Sequence, residues 1–262
     1  MTSPAKSIHR ADYENAPAAL GVMPKTYPDG WDTGRHSHDR GQLVYAPVGL
    51  MELATADGLW LIPPQHALWI PPHTQHAMRA RGTVSMQSLY VRADAIPAGF
   101  PRKPQTLRVS PFLRELIGRA STIAIAHDED GHEGRVLSLI LGEIDWARDA
   151  VELGLMSARD ARLSRVCKAL LERPGDARSL VEWAREVHVS ERTLARLFRQ
   201  EFGVTFIGWR QQVRVLAALP RLASGEGITA IALELGYETP GAFTHVFRRF
   251  MGVPPSKYLR QR

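Results

Sequence analysis

Between Ser179 and Tyr258 the chain spells one kind of helical unit twice. Each copy is an apolar-periodic helix, a short turn, and a second helix whose outward positions are basic. In the first copy Leu180, Trp183, Ala184 and Val187 fall on one face of a short helix. Ser190 then stands where an N-cap is needed, with Glu191 in the first turn. Leu194, Leu197 and Phe198 follow at helical spacing and Phe202 extends the stripe, which turns Glu191, Arg192, Ala195, Arg196 and Arg199 outward. Gly203 is placed as a C-cap glycine. In the second copy Ile228, Ile231, Ala232 and Leu235 mark the first helix and Gly236 the turn. Thr239 and Pro240 supply an N-cap and an N1 proline before Phe243, Val246, Phe247 and Phe250. Its outward positions are Gly241, Ala242, Thr244, His245, Arg248 and Arg249.

A joining helix is expected from about Thr205 through Trp209, Val213, Leu216 and Ala217 to Ala223, with Pro220 kinking it or loosening its last turn. One helical hairpin alone is an ordinary packing motif. Two in tandem, both capped and both basic outward, point to double-stranded DNA gripped at two adjacent grooves. Arginine is the commonest reader of guanine edges, so the first unit suits base reading. The second, with small outward residues and its arginines further along, suits phosphate contacts that position without specifying. The candidate DNA-contacting set is Ser190, Glu191, Arg192, Thr193, Ala195, Arg196 and Arg199, with Thr239, Gly241, Ala242, Thr244, His245, Arg248 and Arg249.

Charge follows the same division. The formal net charge is +6, but residues 161–262 carry 17 Lys/Arg against 9 Asp/Glu, while residues 1–160 carry 16 against 18. The excess sits where a polyanion would be met. Hydrophobic residues at 44% and charged residues at 23% are enough for a core in each of two domains. No run is long and apolar enough to span a bilayer, and the N-terminal stretch lacks a signal-peptide core. The single cysteine, Cys167, excludes an internal disulfide framework and fits a reducing compartment, hence an expected cytoplasmic location without membrane partners.

The N-terminal half has a different texture. Residues 1–30 are rich in Pro, Ala and Gly without a sustained period and are expected to form a mobile arm. Short β-rich stretches follow at Leu43–Tyr45, Leu50–Ala54, Leu59–Ile62, His66–Ile70 and Ser85–Val91. Ala56-Asp57-Gly58 between two of them is a hairpin signal. Residues 31–104 therefore read as a small β-barrel or jelly roll ending in a Pro-rich connector. Residues 105–152 read as helical. Ser110 and Pro111 cap one amphipathic helix, and Val136, Leu137, Ile140, Leu141 and Ile144 mark a second, with Leu139 and Trp146 widening its stripe. That width fits a homodimer seam or packing back on the barrel. Residues 153–159 read as a linker, and residues 160–262 as the C-terminal domain, with paired-helix units at 179–202 and 228–251. The fold class is α+β: a cupin-like β-barrel with a helical dimerisation segment, then an all-α domain with two helix-turn-helix units.

At this point the chain resembles a family. Ile228-x-x-Ile-Ala232, Leu235-Gly-Tyr-Glu238, Phe243-x-x-x-Phe247-Arg248 and Phe250-x-Gly252-Val-x-Pro255-x-x-Tyr258 are similar to the DNA-binding domain of AraC/XylS transcription regulators. The first unit adds Ser190, Arg192, Leu194, Arg196 and Phe198, and the joining helix Trp209 and Arg214. The resemblance covers residues 160–260 and implies that the second helix of each unit reads successive major-groove segments on one DNA face. Pro220 and His245 depart from the family pattern.

In the N-terminal half, His36-Ser-His38-Asp-Arg-Gly-Gln42 resembles the first cupin motif and Pro71-Pro-His73-Thr-Gln-His76 the second. This half is similar to the single-cupin subgroup of those regulators, some of which govern a nearby efflux transporter gene. His36, His38, Gln42 and His76 are thus candidate ligands for a divalent metal, His-x-His on a strand placing both rings on one face. Gln42 takes the place of the usual carboxylate. The alternative is that these side chains line a pocket without any cofactor. Tyr45, Trp60, Trp69 and Met86 are candidate contacts for a small, partly aromatic effector, or else core. Two functions compete: a regulator whose sensor half biases its DNA-binding half, working with RNA polymerase when it activates, and a metal-dependent cupin enzyme fused to a helical domain. The chain carries no Ser/His/Asp or Cys/His constellation for the second.

Overall fold

Period-two alternation in the first half becomes an antiparallel sheet, and period-3.6 stripes in the second become helices. A computed structural model describes residues 9–151 and 153–259. The chain divides into two units, residues 1–56 with 60–154 and residues 57–59 with 155–262.

The first unit opens with α1 (Arg10–Glu14) and β1 (Leu20–Tyr27). β2 (Gly41–Thr55), β3 (Gly58–Ile62), β4 (His66–Ile70), β5 (His76–Val91) and β6 (Gln105–Arg108) follow, then β7 (Ala150–Val151), and β8 (Gly154–Met156) runs on into the second unit. The sheet order is β1-β5-β2-β4-β6-β7, with β3 on β2 and β8 on β3. Among the described residues the two ends of this order are not joined, so the unit is a sheet-rich domain without a shown barrel closure. Register sorts the side chains: Leu43 lies opposite Trp69 and Leu89, and Val44 opposite Leu68 and Ser88. Leu43, Tyr45, Trp69, Leu89 and Val91 thereby share one face, which α2 (Pro111–Ala120) and α3 (His132–Gly142) cover through Leu113, Ile117, Leu137 and Ile140. Val44, Ala46, Leu68, Met86 and Tyr90 form a second core on the other face, with Trp60 and Met78.

Several expectations are corrected. The arm expected over residues 1–30 is structured from residue 9 onward, with β1 paired to β5 along its whole length; residues 1–8 lie outside the described residues. Its physical cause is a buried cation. Arg40 donates to the carbonyls of Glu14 at 3.0 Å and Ala18 at 2.8 Å, and also to that of Ala16. These bonds pin a stretch that has no periodicity of its own. The strands expected at Leu43–Tyr45 and Leu50–Ala54 are one strand, because Pro47-Val48-Gly49 forms a bulge instead of a turn. Gly49 has φ +87, and a Cβ there would meet the Thr83 carbonyl at 2.5 Å. The helical segment expected over 105–152 begins and ends in strands, β6 pairing with β7. Its second helix stops at Gly142, and Trp146 opens a separate turn, α4 (Trp146–Asp149). The 153–159 linker contains β8. The wide apolar stripe is used mainly on the sheet, leaving Leu139 exposed, as Phe112 is on α2.

The second unit contains α5 (Ala161–Glu172), α6 (Leu180–Glu186), α7 (Glu191–Phe202), α8 (Phe206–Ala223), α9 (Ile228–Glu234), α10 (Pro240–Met251) and α11 (Pro255–Leu259). The two helix pairs are built alike. α6 and α9 each have 7 residues, and α7 and α10 each have 12. The turns take a left-handed residue, His188 at φ 54 and Gly236 at φ 76. The next amide reaches back into the helix in both, Val189 to the Ala184 carbonyl and Tyr237 to that of Ala232. α7 ends on Gly203 and α10 on Gly252, both left-handed. α8 runs through Pro220 to Ala223, so the proline does not end it. Placed in the last turn, it forfeits a single backbone bond, while Leu219 and Leu222 beside it are buried. No helix among the described residues is long and apolar enough to cross a membrane.

α8 holds the pairs together through Arg214, which is 7% exposed. Its guanidinium donates to the carbonyls of Pro174 at 3.0 Å, Gly236 at 3.1 Å and Asp176 at 3.3 Å. Removing it strands these acceptors, so Arg214→Ala is expected to cost about 2–4 kcal/mol in urea unfolding of the full chain. Arg214→Lys should recover only part of that, since an ammonium lacks the planar fork. An unchanged midpoint for Arg214→Ala would remove the clamp.

His66 on β4 is 1% exposed, and burial lowers its pKa to about 4, with Arg108 opposite it on β6 acting in the same sense. The unfolded chain therefore binds a proton between about pH 6.5 and 4 that the folded chain refuses, and stability falls as pH drops through that window. The expected loss is about 3 kcal/mol by pH 4. Thermal unfolding against pH tests it: His66→Leu should flatten the acid limb, and an identical limb would exclude His66 as its source.

Candidate functional site

α7 presents an arginine face. Arg192, Arg196 and Arg199 are exposed, while Leu194, Leu197 and Phe198 on the opposite side are buried. Arg196 Nη1 donates to Gln200 Oε1 at 2.8 Å, which orients its guanidinium along the helix. Among the described residues the Arg192 and Arg199 side chains make no ion pair or hydrogen bond, so both cations are available to an outside acceptor. Ser190 is spent on the helix start, its Oγ accepting from the Thr193 amide at 3.2 Å. Glu191 is exposed in the first turn, and Thr193 and Ala195 are half-buried at the edge of the face.

α10 is organised similarly, with smaller side chains at its start. Thr239 Oγ1 accepts from the Ala242 amide at 3.2 Å. Gly241, Ala242 and His245 are exposed, and Thr244 is half-buried. A Cβ at Gly241 would meet only Thr239 Oγ1, at 3.8 Å, among the described residues, so the first turn is open. Arg248 and Arg249 are exposed in the last turn, where Arg249 reaches Gln211 Oε1 on α8 at 2.7 Å. α7 is seated on the same α8 by rings: Phe202 stacks on Trp209 at 5.9 Å, and Phe198 lies 5.4 Å from Phe206. One rigid helix thus carries both exposed helices.

In the sheet unit the predicted side chains sort onto two faces. Tyr45 and Trp69 lie in the core beneath α2 and α3, where Trp69 also donates to the Pro101 carbonyl at 3.0 Å. Trp60 and Met86 lie in the other core. The four expected to line one pocket therefore do not, because neighbouring strand positions alternate between faces. All four are buried.

His36, His38, Gln42 and His76 do come together. The imidazole nitrogens of the three histidines that could ligate all lie within 4.8 Å of one another, and the His36 and His76 rings are 4.3 Å apart. His36 and His76 bond each other's backbone reciprocally at 2.9 Å, which brings a loop and the start of β5 together. Each ring donates Nδ1–H to a carbonyl: His36 to Gly34 at 2.9 Å, His38 to Arg40 at 2.6 Å and His76 to Thr74 at 2.8 Å. Gln42 donates to Ser88 Oγ at 2.8 Å and Tyr90 Oη at 3.2 Å, and its Oε1 lies 3.1 Å from His38 Nε2. Burial lowers the pKa of His36, and that of His76 to about 4, which keeps these rings neutral near pH 7. Ser88, Tyr90 and Arg40 are the members that sequence reasoning missed. The alternation Met86, Ser88, Tyr90 along β5 was the available signal for two of them.

Comparison with known proteins matches the halves separately. A model of the AraC-like ligand binding domain covers residues 25–142, and a helix-turn-helix domain model covers residues 183–261. The chain is 29% identical over 224 residues to the HTH-type transcriptional regulator NimR of Escherichia coli, spanning 86% of this chain and 81% of that one. It is 36% identical over 104 residues to the HTH-type transcriptional regulator RipA of Corynebacterium glutamicum, 40% of this chain and 31% of that one. A crystal structure of fatty-acid-bound ToxT from Vibrio cholerae aligns with a TM-score of 0.39 at 12% identity, covering 94% of this chain and 96% of that one. NimR and RipA are both transcriptional regulators, which gives the enzyme reading no support. The capped helix pairs, the sheet unit and the two matched domains agree: the chain belongs to the AraC/XylS family of DNA-binding transcription regulators, with a ligand-binding domain at its N-terminal end.

Proposed function

We propose that this regulator reads its operator mainly with α7 and anchors on it with α10. The observation that carries the reading is the pair of capped helices seated on α8, one with three exposed arginines and one with an open first turn. Arg192 and Arg196 face base edges in a major groove, and Arg199 the flanking backbone. Thr239, Gly241 and Ala242 let the start of α10 approach a second groove closely, His245 lies over it, and Arg248 and Arg249 bind phosphate. Each helix pair acts as a helix-turn-helix.

The sheet unit takes a small-molecule effector on the inner face that carries Trp60 and Met86. An effector of this kind acts only by binding one arrangement of the protein more tightly than another. The protein works in the cytoplasm as a homodimer through the sheet unit, the exposed Phe112 and Leu139 on α2 and α3 forming part of the contact. As an activator it engages RNA polymerase.

Operators located by genome-wide footprinting provide the test. Arg196→Ala is expected to cost about 1–3 kcal/mol in operator binding and to relax preference at one base pair. Arg248→Ala should weaken binding across all sequences and reduce the salt slope by about one. Unchanged operator affinity for Arg196→Ala would displace α7 from the reading role.

A further inference from the structure

The three histidines of the sheet unit share a feature that packing does not account for. Each donates its Nδ1–H to a backbone carbonyl, so as a neutral ring each presents an unprotonated Nε2 to the same small space. The Nε2 atoms of His36 and His76 are buried and have no hydrogen-bond partner among the described residues. Buried polar atoms are almost always satisfied, so acceptors left over at one point require an explanation. The third, His38 Nε2, faces Gln42 Oε1 at 3.1 Å, again acceptor against acceptor. Turning the Gln42 amide would give His38 a donor and let Ser88 and Tyr90 donate in turn, but His36 and His76 would remain unpartnered. A water molecule has two protons for these three nitrogens and the amide oxygen. Carbonyl-bound Nδ1 with Nε2 turned inward is the arrangement that fixes imidazoles as metal ligands.

We propose that His36, His38 and His76, with Gln42 Oε1, form a binding site for one divalent late first-row transition-metal ion. This goes beyond the DNA-reading proposal and does not depend on it. Imidazole with an amide oxygen selects ions such as Zn²⁺, Ni²⁺, Co²⁺ or Fe²⁺ over Mg²⁺ and Ca²⁺. A tetrahedral ion holds its nitrogens about 3.3 Å apart, given bonds of about 2.0–2.1 Å. The present spread of up to 4.8 Å is wider than that, so binding draws the rings together. Every donor is neutral, so the ion keeps its full charge in a buried place. A carboxylate at position 42 would offset that charge, and the Ser88 and Tyr90 hydroxyls can donate to it.

The test uses the full chain, stripped with a chelator and titrated with Zn²⁺ against a chromophoric competitor, with Co²⁺ absorption reporting the ligand field. The wild-type chain should bind one ion. His36→Ala and His76→Ala should each lower affinity by more than about 100-fold, beyond the 10–100-fold that losing an outer-shell partner costs. His132→Ala, at an exposed position on α3, should leave it unchanged. Gln42→Glu should raise affinity at least about tenfold, a reading that survives if the alanine variants do not fold. The proposal is overturned if the wild-type chain binds less than about one-tenth of an ion. It is equally overturned if a folded His36→Ala or His76→Ala chain keeps its affinity, or if Gln42→Glu fails to raise it.

Discussion

Arg214 places a cation where almost no water reaches it, its donors held by carbonyl oxygens and its guanidinium 5.3 Å over the Tyr237 ring. Burial pushes its pKa below the ordinary guanidinium value, with Arg210 adding in the same sense, yet three backbone acceptors hold its donors. Those acceptors come from the loop before α6 and from the turn between α9 and α10. One side chain on α8 therefore sets where both helix pairs lie. Arg210 repeats the device by donating to the Arg178 carbonyl at 3.0 Å, while the Arg178 guanidinium lies 3.6 Å over the Trp183 ring. Close approach is built into the same region: a Cβ at Gly175 would sit 2.1 Å from the Glu234 carbonyl. With its 18 residues α8 is about 27 Å long, the same order as the roughly 34 Å between successive major grooves.

The sheet unit uses the same physics. Arg40 is a buried cation neutralised by carbonyls of the segment between α1 and β1, which it fastens against the sheet. Tyr13 on α1 then stacks 6.0 Å from Tyr90, which in turn lies edge-on to His38 at 5.5 Å. The polar cluster is thus closed from the N-terminal side by a segment that Arg40 holds. In both units one arginine converts a loop into a fixed part of the structure, because each stranded carbonyl would otherwise go unsatisfied.

Much of the helical half was legible because caps and stripes are local. Ser110, Ser190, Thr205 and Thr239 all cap the helices that follow them, and Gly203 ends α7. The capping box of Ser179 with Glu182 follows the same logic. The joining helix ends at Ala223, as its pattern predicts, with Pro220 in its last turn. In the sheet half, single strands were legible wherever side chains alternate. β1 was not, because its Gly21 and Pro24 read as loop and only pairing with β5 makes it a strand. β6 to β8 are too short to show a period.

The sequence by itself determined the two repeated helix pairs, the basic face of α7, and the residues of the histidine cluster. The helix pairs and the basic face are encoded by neighbours within a few positions, through the helical period and the caps, and His36, His38 and Gln42 by their spacing, with His76 supplied by a second motif. Only the tertiary structure decided that Tyr45 and Trp69 part company from Trp60 and Met86, and that the N-terminal segment belongs to the sheet. It also decided that His36 and His76 meet across a bridge between distant segments. The reason is the same in each case: strand register and buried arginine–carbonyl bonds join residues far apart in the chain, and local pattern carries no record of such pairings.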